Sequence, residues 1–95
     1  MQPNVLIDNN ASNRFTVIEV NARDRPALLH HLANALFQSR VTIRSAHVAT
    51  YGERAVDTFY VTDLTGDKIS GNRARAVEKR LLDAAAGDGE VRTAA

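Results

Sequence analysis

Phe15-Thr16-Val17-Ile18-Glu19-Val20-Asn21, running on into Ala22-Arg23-Asp24-Arg25-Pro26-Ala27-Leu28-Leu29, is the stretch on which the fold turns. In its first half Phe15, Val17 and Glu19 alternate with Thr16, Ile18 and Val20. The β-branched and aromatic content of both sets predicts a central strand with two largely apolar faces. In the second half the period changes: Leu28, Leu29, Leu32, Ala35 and Leu36 are spaced for one face of a helix, predicted from about Pro26 to Ser39. Pro26 suits a first turn, where its missing N–H has no partner to lose, and Asp24 is placed to accept bonds from the free amides there. His30, His31, Asn34 and Gln38 fall mainly on the outer side.

Downstream, Val41 to Thr50 and Ala55 to Asp63 read as two strands turning through Tyr51-Gly52-Glu53. Pairing Thr50 with Arg54 makes a three-residue loop. It sets Ile43 opposite Val61, Ser45 opposite Phe59 and His47 opposite Asp57, with Val41, Ile43, Ser45, His47 and Ala49 sharing one face. Thr65-Gly66-Asp67-Lys68 is a turn. Ala74, Val77, Leu81 and Ala85 then predict a second helix from about Asn72 to Ala86, stopped by Gly87. Past Gly87 only Val91 is strongly apolar, so 87–95 reads as a frayed tail. Upstream, Val5-Leu6-Ile7 is a short strand, followed by the turn-forming run Asp8 to Asn13.

The order strand, strand, helix, strand, strand, helix differs from the βαββαβ order of the ferredoxin-like α+β sandwich only in where the chain enters the sheet. The expected fold is a permuted ββαββα version: a four-stranded antiparallel sheet with two helices on one face and Val5 to Ile7 at the edge beside the Phe15 to Asn21 strand. Residues 1–95 are expected to form a single domain with a core over about 5–86.

Composition narrows the function classes. The chain has 95 residues, 44% hydrophobic and 24% charged, as an ordinary globular domain does. The lack of cysteine excludes a disulfide scaffold and a Cys-ligated metal or cluster. Twelve Lys and Arg against eleven Asp and Glu leave a net charge of +1, which gives no electrostatic pull toward nucleic acid or an anionic membrane. Aromatic content of 5% and the lack of an RNP-like motif also disfavour an RNA-binding domain of this fold. No apolar run approaches the ~18 residues of a membrane span, and Met1-Gln2-Pro3-Asn4 lacks the features of a signal peptide, so a cytoplasmic location is expected. Met1 standing directly before a strand suggests a piece of a longer chain. A domain this small buries only about 60 to 65% of its unfolded surface. A homodimer or a neighbouring domain is therefore expected against an uncovered face or edge that carries Arg44, Val48, Val56 and Tyr60.

Val17 to Leu29, with Asp24-Arg25-Pro26-Ala27-Leu28-Leu29 after an apolar strand, closely resembles the opening of an ACT domain, a regulatory module with an Asp-Arg-Pro-Gly-Leu-Leu signature. The longer run Ser45 to Asp57, continuing through Phe59-Tyr60-Val61-Thr62-Asp63, is more specific. It resembles the C-terminal ACT domain of the bifunctional uridylyltransferase and uridylyl-removing enzymes that modify the PII nitrogen-signalling protein, and the likeness covers about Val5 to Ile69. The resemblance implies a regulatory domain that binds a small amino acid, glutamine in this group, and relays its presence to the catalytic domains of a parent enzyme in nitrogen metabolism. It also implies a ligand loop of Asn21, Ala22, Arg23, Asp24, Arg25, Pro26, Ala27 and Leu28, completed by Thr42 of a neighbouring chain. Ala27 stands where the family usually has glycine, and Thr42 where it typically has asparagine.

The loop has its own chemistry. Free amides at a helix start suit an α-carboxylate, and Asp24 suits an α-ammonium group. The bland alternative is that Asp24 and Pro26 merely start a helix. A purely structural dimerisation or docking module without ligand is the alternative for the whole chain. His47 opposite Asp57 is expected to be a cross-strand contact rather than a catalytic dyad, since no nucleophile or metal ligand accompanies it. His30 and His31 are adjacent, whereas joint metal ligation on a helix wants i, i+4 spacing. Arg73, Arg75, Lys79 and Arg80 read as the solvated face of the second helix. No catalytic residue, cofactor or metal is expected; the chemistry implied for the parent lies in other domains.

Overall fold

Alternation along the second strand sets the layers: Thr16, Ile18, Val20 and Ala22 are all buried, while Val17, Glu19 and Asn21 between them are half-buried on the other face. The computed structural model describes residues 2–87. It contains β1 (Asn4–Asp8), β2 (Thr16–Arg23), α1 (Leu28–Gln38), β3 (Val41–Tyr51), β4 (Arg54–Asp63) and α2 (Gly71–Ala86). The sheet order is β1-β2-β4-β3 with every pair antiparallel, and β1 sets Val5 against Val20 and Ile7 against Ile18 at one edge. This is the ferredoxin-like sandwich in its permuted ββαββα form, with the edge filled as the sequence predicts. The expected tail after Gly87, with Val91, lies outside the described residues.

Both helices lie on one face because each carries one apolar stripe. Leu28, Leu32, Ala35 and Leu36 of α1 and Val77, Leu81 and Ala85 of α2 meet Ile18, Val20, Phe59 and Val61 of the sheet. Burial of each large side chain here is worth roughly 1.5 to 3 kcal/mol. Polar bonds fix the short edge strand where its area alone is small. Asn9 Nδ2 donates to the Ile69 carbonyl (2.7 Å), the buried Thr16 hydroxyl donates to Asn9 Oδ1, and Ile69 N donates to that hydroxyl at 3.0 Å. Lys68 Nζ donates to the carbonyls of Asn9 and Ser12.

The β3–β4 hairpin departs from the expected register. Ile43 does face Val61, but Arg44 forms a bulge, and beyond it Ser45 pairs with Tyr60, Ala46 with Phe59, His47 with Thr58 and Val48 with Asp57. Tyr51 pairs with Arg54, so the loop is the two residues Gly52-Glu53, with Gly52 at φ +63 as a glycine-first hairpin turn requires. A one-residue slip exchanges faces. His47 therefore lies on the open face, its ring 5.7 Å edge-on from that of Tyr60, and Asp57 points toward the helices. The expected His47–Asp57 contact does not exist. Val56 and Tyr60 are on the open face as a set, while Val48 is on the helix side, beyond the cover of α1, and is 53% exposed.

Two polar expectations also change. Asp24 does not cap α1: the cap position is Ala27, in a left-handed conformation at φ 67, and no side chain caps it. Pro26 thus precedes the helix rather than opening it. Arg73 is more than a solvated residue, since its guanidinium donates to the carbonyls of Ser39 (3.2 Å) and Arg40 (2.7 Å) and ties α2 to the end of α1.

Candidate functional site

The segment between β2 and α1 is built around one inward residue and an exposed rim. Asp24 N donates to the Glu53 carbonyl at 2.7 Å, which docks the loop on the β3–β4 turn. Arg25 turns in: its Nη1 lies 3.0 Å from His31 Nδ1 and its Nη2 donates to the Ala84 carbonyl at 2.6 Å. A guanidinium on a carbonyl of the last turn of α2 complements the negative end of that helix. Space for it comes from Gly87, where a Cβ would stand 3.1 Å from Arg25 Nε. Arg25 is thereby a tether and not a free ligand contact. Asp24, Pro26 and Ala27 form the exposed rim.

The other residues implied for the site are placed apart. Ala22 (1% exposed) and Leu28 (4% exposed) belong to the core. Asn21 and Arg23 are on the open face, opposite the helices; Asn21 Nδ2 donates to Glu19 Oε2, Arg54 Nη2 donates to Asn21 Oδ1, and Arg23 pairs with Glu53 at 2.9 Å. That ion pair is exposed and worth well under 1 kcal/mol. Thr42 starts β3, whereas the Asp24 to Ala27 loop lies beside the β3–β4 turn at the other end of that strand. One chain cannot bring Thr42 to the loop. Two chains paired antiparallel along the free edge of β3 would set the start of one strand beside the end of the other.

A further acid sits under this loop. Asp57 is 2% exposed in a β4 face that otherwise presents Ala55, Phe59 and Val61, and Oδ1 has no hydrogen-bond partner among the described residues. Burial first, and then the charge of Asp24, push its carboxyl above the ordinary carboxylate value. An unpaired buried carboxylate is costly unless a proton or a cation meets it. The sequence signal was one acid in an apolar alternation, hidden by the one-residue slip that gave it to His47. At the amides, Leu28 N donates to the Arg25 carbonyl (3.2 Å) and His31 N to the Ala27 carbonyl (2.9 Å), and the amides of Leu29 and His30 between them have no partner among the described residues. Donors for a small anion and acceptors for a small cation thus occur at the same end of the sandwich. Among the described residues no group of three or more His, Asp or Glu is placed to hold a metal ion, and no helix is long and apolar enough to cross a membrane.

No family model matches the chain. It is 67% identical over 86 residues to a bifunctional uridylyltransferase/uridylyl-removing enzyme of Novosphingobium aromaticivorans and 69% identical over 86 residues to that of Zymomonas mobilis, in each case over 90% of this chain. Over its full length it is 49% identical to that of Bradyrhizobium diazoefficiens. The chain spans 9 to 10% of the length of these relatives.

Proposed function

We propose that the chain is an amino-acid-binding regulatory ACT domain, sensing glutamine, of a uridylyltransferase/uridylyl-removing enzyme, and that it reports the effector to catalytic domains elsewhere in the parent. The observation that carries this is the pairing of a helix-start loop bearing free amides with two carboxylates, exposed Asp24 and buried Asp57, in a segment highly similar to such enzymes. Amides at a helix start favour a carboxylate, and a low-dielectric carboxylate favours an ammonium group, so the pair matches the two charges of a free amino acid. The fragment carries no chemistry of its own on this reading. Uridylylation of PII and its reversal, in the cytoplasm, belong to the rest of the parent.

The domain works as a homodimer, or against a second ACT domain, through the unpaired edge of β3. Eleven residues of free edge with Val48 half in water form a surface that a monomer leaves costly. Edge pairing also supplies Thr42 to the partner's loop, completing a ligand site of Asp24, Pro26, Ala27, the amides at the start of α1 and Thr42. Calorimetric titration of L-glutamine into the 95-residue chain tests the function, with saturable heat expected. Absence of heat together with a stable dimer would favour a structural module that holds the parent together without an effector.

A further inference from the structure

We propose that Asp57, buried near the Asp24 to Ala27 loop, is the group that receives the α-ammonium of the effector amino acid. This rests on the amino-acid-binding reading above and assigns its cation contact. Asp24 is exposed at the rim, where water weakens any ion pair it makes, whereas Asp57 is 2% exposed and its Oδ1 is one of two unpartnered buried side-chain polar atoms among the described residues. The other is Arg25 Nε, and the Arg25 nitrogens that do bond are engaged by His31 and Ala84, so that guanidinium is not the counter-charge.

Among the described residues no cation faces Asp57 across the sheet. Its neighbours across the sheet are Val20 and Val48, both apolar, and the charged group that acts on it is another acid, Asp24. Two carboxylates near one another without a cation repel. A primary ammonium carries three donors and relieves both at once. Val48, the strand partner of Asp57, is 53% exposed, and Leu29 at the start of α1 is 43% exposed. Delivery of the cation to Oδ1 requires the rim of the loop to move, with Arg25 as the fixed tether behind it.

The test compares L-glutamine with its des-amino counterpart, 4-carbamoylbutanoate, by titration into the native chain and Asp57→Asn. The native chain is expected to bind glutamine at least about tenfold more tightly than the des-amino compound, and Asp57→Asn to lose that preference while its affinity for the des-amino compound stays within about twofold. In the native chain, the side-chain carboxyl carbon resonance of Asp57 should shift at saturating glutamine, a readout that needs no variant to fold. Retention of the preference in Asp57→Asn, or an unmoved Asp57 resonance with glutamine bound, overturns the assignment and leaves amino-acid binding in place. Failure of the native chain to bind glutamine or any other α-amino acid overturns both.

Discussion

Replacing Ala27 by glycine is expected to stabilise the chain. Ala27 holds φ 67 and ψ 8 at the cap position of α1, and a left-handed conformation costs an L-residue about 1 to 2 kcal/mol that glycine does not incur. Glycine returns part of this, about 0.4 to 1 kcal/mol, because it loosens the unfolded chain. Ala27 is exposed and makes no cap bond through its side chain, so the exchange removes little packing. The balance is a gain of about 0.5 to 1 kcal/mol, or a rise in Tm of about 2 to 8 °C for a domain of this size. Thermal and urea unfolding followed by circular dichroism measure it, with Ala33→Gly inside α1 as the control that should lose about 1 kcal/mol. An Ala27→Gly chain with an unchanged or lower Tm would refute the claim that backbone strain is stored at the mouth of the proposed site.

Gly87→Ala should lose about 1 to 3 kcal/mol in the same unfolding assay, since it combines φ +76 with a Cβ placed 3.1 Å from Arg25 Nε. Stability measured against pH should show the burden of Asp57. Its folded carboxyl titrates above the unfolded value because of burial and Asp24, so the folded state holds the proton more tightly. The native chain should therefore lose stability relative to Asp57→Asn as pH rises through that interval, and the difference should vanish below it. Equal pH profiles for the two chains would count against a desolvated carboxylate.

The elements were legible in the sequence because their periods are clean. Ile18, Val20 and Ala22 alternate on one side of β2, Leu32, Ala35 and Leu36 keep a helical stripe, and Gly87 ends α2 in the left-handed conformation expected of a stop. The hairpin was not legible, because a bulge at Arg44 offsets a loop one residue shorter than expected. The two changes cancel at Ile43–Val61 and leave every pair between them displaced. Chemistry at the candidate site was lost with that register: the carboxylate that lies beneath the loop looked like the partner of a histidine on the opposite face. Arg25 illustrates a second limit. Nothing in local spacing connects it to Ala84, a carbonyl 59 positions away, yet that bond decides that it tethers the loop instead of greeting a ligand.

Whether the effector site spans two chains is tested most directly by following the backbone amide resonances of the 95-residue chain during addition of L-glutamine. Saturable shifts are expected at Asp24 to Leu28 and, at the same glutamine concentrations, at Thr42. Thr42 stands at the other end of β3 from the loop within one chain, so a shift there is what the proposed edge-paired dimer requires. Shifts confined to the loop, with Thr42 unmoved in a dimeric sample, would contradict a shared site, and an unchanged spectrum would contradict amino-acid sensing by this domain.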